Sequence, residues 1–205
     1  MNISSFFKQN KQAQGGFSLI ELMVTITIMV IVTGAVMVNY SSFNSTTLLR
    51  SQAFELALDI KESQSFGIST QNTGGDYRAA YGIYVDRDND TYALFQDDSS
   101  GTDLRYDSGE EIGVPFTLDN RFQIGQICVQ VASAGSPSCT ARQLSVSFKR
   151  PDFDTHYAYT SNASPSNLAN VGIILEYAEI YIQSAADPSF ERIVTVYPSG
   201  QVSVN

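Results

Sequence analysis

From Phe17 to Val38 the chain contains no Lys, no Arg and no Pro, and Glu21 is its only charged side chain. A helix needs about 20 such residues to cross the hydrocarbon of a bilayer. An acid inside the run costs on the order of 2–3 kcal/mol, less near its end than at its centre. A carboxylate held there against that cost points to a function. It also poses a question of chemistry: which group neutralises it.

Three readings of the run compete. A secretory signal peptide would use Lys8 and Lys11 as its basic front and Thr33-Gly34-Ala35 as its cleavage region, but its core would be unusually long and would hold an acid. A plain signal anchor would tolerate Glu21 near the interface. The third reading starts from Gly15-Gly16, a small, flexible site within reach of a protease at the membrane face. Lys8 and Lys11 keep the preceding segment cytoplasmic. A cut after Gly16 would place a new α-amine on Phe17. Glu21 would then lie about 6 Å further along the helix axis, in the first turn, where the helix dipole favours an acid. It does not easily reach its own amine, but it can meet the amine of an axially shifted neighbouring copy. A buried charge is costly alone and tolerable when paired.

The residues that frame this reading are Gly16-Phe17-Ser18-Leu19-Ile20-Glu21-Leu22-Met23-Val24. They resemble the class III leader and helix start of type IV pilins and type II secretion pseudopilins. The resemblance implies that a prepilin peptidase cuts after Gly16, that Phe17 becomes the methylated N-terminus, and that Glu21 is the assembly acid. The leader is longer than in many pilins that start with Phe, and the span lacks a kinking Pro, leaving Gly34 as its weak point.

With 205 residues the chain has room for the membrane helix and one globular domain. Of its 12 Lys and Arg, two (Lys8 and Lys11) lie in the leader, which leaves 10 against 21 acidic side chains. Such a surface repels nucleic acid and anionic lipid at long range. Cys128 and Cys139 flank a stretch holding the turn sequence Gly135-Ser136-Pro137. Outside the cytoplasm they can pair across a hairpin, worth roughly 2–3 kcal/mol by the chain-entropy argument. The other reading is two separate thiols.

Four segments follow: a leader at 1–16, a transmembrane and assembly half-helix at 17–38, an amphipathic half-helix at 39–68, and a β-rich extracytoplasmic domain at 76–205. In the second half-helix Ala53, Phe54, Ala57, Leu58 and Ile60 fall at helical spacing. The first Pro is Pro115, so nothing earlier forbids one continuous helix. The segment from Asn39 to Thr47 is poor in helix formers and is expected to fray. Alternation and turn residues predict strands at 81–86, 91–96, 111–118, 121–131, 143–150, 155–160, 171–183, 190–197 and 201–204. The expected fold is α+β: a long N-terminal helix, membrane-spanning in its first half, packed on an antiparallel sheet or sandwich. The run Arg50–Ile68 and the segments starting at Tyr81, Val146 and Val194 are similar to the GspH/FimT-like minor pseudopilins and minor pilins.

Chemistry beyond assembly has thin support. Asp86, Asp88 and Asp90 place oxygen ligands at alternate positions, as a structural calcium site would. The same residue types dominate hairpin turns. An enzyme lacks its inventory, with one His, no Gly-x-Ser-x-Gly elbow and no phosphate-binding loop. His156 reads as a structural residue in a strand, and a zinc site lacks ligands. No cofactor is expected other than that calcium.

The resemblance therefore implies a structural subunit at or near the tip of a type IV pilus or type II secretion pseudopilus. Its partners are other pilins or pseudopilins, the prepilin peptidase and the inner membrane. It starts as a single-pass protein of that membrane with its domain outside the cytoplasm. The alternative is a DNA- or ligand-binding minor pilin of an uptake pilus. DNA binding needs clustered basic side chains, and Lys149-Arg150 is the only adjacent pair.

Overall fold

The protein is described here by a computed structural model, covering residues 16–69, 79–97, 103–151, 154–161 and 174–205, with only the backbone given for 38–44. It divides into two compact units, Met1–Phe43 and Asn44–Asn205. The boundary falls inside the helix α1 (Leu19–Ile68), rather than at its end. The backbone is helical across 39–47, so the fraying expected there from weak propensity is not seen. Backbone hydrogen bonding prevails over a sum of small per-residue preferences.

In the first unit, Leu19–Met37 is long and apolar enough to cross a membrane, and none of it is buried within the chain. Its hydroxyl groups are satisfied internally. Thr25, Thr27 and Thr33 donate from Oγ1 to the carbonyls of Leu22, Met23 and Met29 at 2.9, 2.8 and 2.7 Å. Such back-bonding removes the penalty that a free hydroxyl would carry in hydrocarbon.

Among the described residues, the second unit pairs the rest of α1 with ten strands. These are β1 (Tyr81–Asp86), β2 (Thr91–Gln96), β3 (Phe116–Thr117), β4 (Phe122–Val131), β5 (Ser138–Ala141), β6 (Gln143–Phe148), β7 (Thr155–Thr160), β8 (Leu175–Ser184), β9 (Glu191–Val196) and β10 (Val202–Val204). They form two antiparallel sheets in the orders β3-β2-β1-β6-β7 and β10-β9-β8-β4-β5. The fold class is thus α+β.

Leu49, Ala53, Leu56, Ala57 and Ile60 recur every three or four residues, which puts them on one face of α1. They share one core with Ile83, Val146 and Phe148 of the first sheet and Ile127, Ile180 and Val194 of the second. Phe54 and Leu58 lie on the opposite face and are exposed. Two contacts seat the end of the helix: Lys61 Nζ donates to the Gly200 carbonyl at 2.7 Å, and Gly67 packs so tightly that a Cβ there would lie 2.5 Å from the Phe148 carbonyl oxygen.

One strand expectation needs correction, and one strand is added. The segment 111–118 yields only β3, with Glu111 joined to Phe95 by an isolated bridge. Gly113, at a φ of 83°, and the exposed Val114 interrupt extended pairing between them. β5 is a strand that the sequence pattern does not announce. It is short and pairs with β4 through an irregular register, Ile127 opposite Ala141 and Val129 opposite Ser138. β8 begins at Leu175; residues 171–173 of that expectation lie outside the described residues. His156 sits half-buried in β7 opposite Ser147.

Candidate functional site: the head of the N-terminal helix

Residues 16–18 precede the helix, and Gly16, Phe17 and Glu21 are all exposed, Phe17 at 81%. A Cβ on Gly16 would meet nothing within 4 Å, so this stretch is open to an enzyme. The Ser18 carbonyl accepts from the Leu22 N–H at 3.1 Å. That bond makes Ser18 the N-cap and Glu21 the third helical residue, the spacing of a capping box. Sequence reasoning passed over Ser18, although Ser-x-x-Glu before an apolar run is a legible signal. Glu21 therefore lies in the first turn, where unpaired backbone N–H groups and the positive end of the dipole face it. With the threonines bonded to their own helix, Glu21 is the one ionisable side chain on a surface that is otherwise apolar and exposed.

The β1–β2 turn does not gather its three acids into one ligand set. Asp86 accepts from the Asp88 N–H at 2.9 Å and from Asn89 Nδ2 at 2.8 Å. Asp88 accepts from Arg142 Nε and Nη2 at 2.9 and 2.7 Å. Asp90, at a φ of 52°, turns away and accepts from the Ile124 N–H at 2.7 Å. Among the described residues no group of three or more His, Cys, Asp or Glu is placed to hold a metal ion. The Arg142 partner of Asp88, 54 positions away, could not be read from the chain.

Behind the first sheet, residues 103–111 lie across Tyr84 and Phe95. Tyr106 stacks on Tyr84 with ring centroids 4.1 Å apart and meets Phe95 edge-on at 5.6 Å. Its N–H donates to Ser145 Oγ at 3.2 Å, and its hydroxyl donates to Glu111. Burial first, then this bond, pushes the Tyr106 phenol up, while the bond from Tyr106 pulls the Glu111 carboxyl down. These groups hold a loop in place. Cys128 and Cys139 are joined at an S–S distance of 1.97 Å across the β4–β5 hairpin.

An exposed apolar helix with an acid in its first turn, carrying a two-sheet domain, defines the class: a subunit built to bury its helix against something outside itself. The prokaryotic N-terminal methylation motif matches residues 11–37. This motif indicates a type IV pilin-like subunit made as a prepilin. It implies assembly with other pilins and processing by prepilin peptidase. No curated protein and no solved structure matches the chain.

Proposed function

We propose that this protein is a minor pilin or pseudopilin, cut after Gly16, methylated on Phe17 and incorporated at or near the tip of a type IV filament. The observation that carries the reading is the head of α1. Glu21 stands in the first turn of a helix whose apolar span Leu19–Met37 is not buried among the described residues, next to an exposed Gly16-Phe17 bond. A neighbour's α-amine would pair the acid, and neighbouring helices would bury the apolar surface. Both gains arise only in the assembly. Phe54 and Leu58, exposed on the outer face of α1, extend the surface available to other subunits. The β1–β2 acids are bonded to donors within the domain, which favours turn residues over a calcium site. The role is structural, with no catalysis. The order along the chain of the segments starting at Arg50, Tyr81, Val146 and Val194 supports the GspH/FimT-like group.

Mass spectrometry of the mature protein tests this. The expected N-terminal residue is an N-methylated Phe17, and Gly16→Val should leave the precursor at full length. A mature N-terminus at any other residue overturns the reading.

A further inference from the structure

The disulfide is chemically lopsided. Cys128 lies in β4, between β8 and β5, and is 1% exposed. Cys139 lies in β5, the last strand of its sheet, and is exposed like every residue from Ala132 to Thr140. No charged residue stands between Arg121 and Arg142 in the sequence, and across the sheet Glu179 of β8 stands opposite Cys128. The two sulfurs therefore differ in access, and access governs which sulfur of a disulfide is attacked.

We infer that Cys139 is the sulfur through which this bond is made and broken, and that a small thiol or a disulfide carrier enters by forming a mixed disulfide there. In the oxidising direction the Cys139 thiolate attacks one sulfur of the carrier disulfide. It forms the mixed disulfide and expels the other carrier sulfur as a thiolate. The Cys128 thiolate then attacks Cys139 Sγ, closes the protein disulfide and expels the second carrier thiolate. The protein loses two electrons and two protons, and the carrier gains them as two thiols. In the reducing direction a thiolate attacks Cys139 Sγ and Cys128 leaves. A second thiol then attacks the carrier sulfur of the mixed disulfide and frees Cys139. Cys128 is the resolving thiol in the oxidising direction and the leaving thiol in the reducing one. This inference is independent of filament assembly.

The test uses the full chain in detergent with glutathione as the probe. Under native conditions Cys128→Ser, treated with glutathione disulfide, should form its adduct at Cys139 at least about tenfold faster than Cys139→Ser forms one at Cys128. In denaturant the two rates should converge. Equal native rates, or a faster Cys128, overturn the inference. Should a Ser variant fail to fold, wild-type protein treated briefly with reduced glutathione and quenched in acid gives the same answer by peptide mapping. Glutathione on Cys139 supports the inference, and glutathione on Cys128, or on both equally, rejects it.

Discussion

Glu21 faces two demands at once: the end of its own helix favours it, and the hydrocarbon around it does not. The first demand is met within the chain, because a carboxylate at the third helical position sits among free backbone N–H groups. In the proposed filament the second would be met by a neighbour's α-amine. Glu21→Leu should therefore leave membrane insertion unchanged and cut recovery in sheared filaments. Equal recovery of wild type and variant would contradict pairing. Asp119 shows how an exposed acid is held by one neighbour. Arg121 donates to it from Nε and Nη2 at 2.9 and 2.8 Å, and these bonds bring its pKa down from 3.8 to about 2. A depressed folded value stabilises the fold above the unfolded pKa, near 3.8, and that contribution vanishes as pH falls towards 2. In Arg121→Gln the carboxyl titration followed by NMR should return towards 3.8. At this scale the sequence is legible where chemistry is local. The head of the helix and the Asp-rich turn read directly, whereas Arg142 on Asp88 depends on two strands meeting.

Among the elements, α1 was the most legible, because its pattern keeps one period from Leu49 to Ile60. Most strands were legible for the same reason, with alternation bounded by turn residues. Their partners were not. Alternation says that a strand has a buried face but not which strand lies beside it, so the placement of β4 next to β8 rather than β3 came only with the fold. β5 escaped because four residues after a Pro carry too little pattern. The tight seat of the helix was equally hidden, since Gly67 reads as a helix end and not as a contact. Its hydrogen stands where a methyl group would press on the backbone of β6. Backbone cannot swing aside as a flexible side chain can. Gly67→Ala should therefore destabilise the domain by roughly 1–3 kcal/mol, despite alanine's better helix propensity. Chemical denaturation measures the difference, and a stabilised variant would show that the helix end is free to shift.

At the scale of the whole molecule, the division at Phe43 and Asn44 separates a segment whose apolar span is unburied from one that carries its own core. A chain beginning at Asn44 should stay in solution without detergent and unfold in one cooperative transition. A chain beginning at Ser69 should not fold. The reason is the share of the core that lies on the helix. Leu49, Leu56 and Ile60 are each no more than 1% exposed, and burying one such side chain contributes about 1.5–3 kcal/mol. Together they supply roughly 5–9 kcal/mol, which matches the whole stability of a typical domain, about 5–15 kcal/mol. Without them Ile83, Val146, Ile127 and Ile180 lose the apolar surface that covers them, and the two sheets lose their shared partner. Circular dichroism melts of the two shortened chains decide the matter. Cooperative folding of the chain from Ser69 would mean that the sheets need no helix. Aggregation of the chain from Asn44 would mean that its core does not close without residues 1–43.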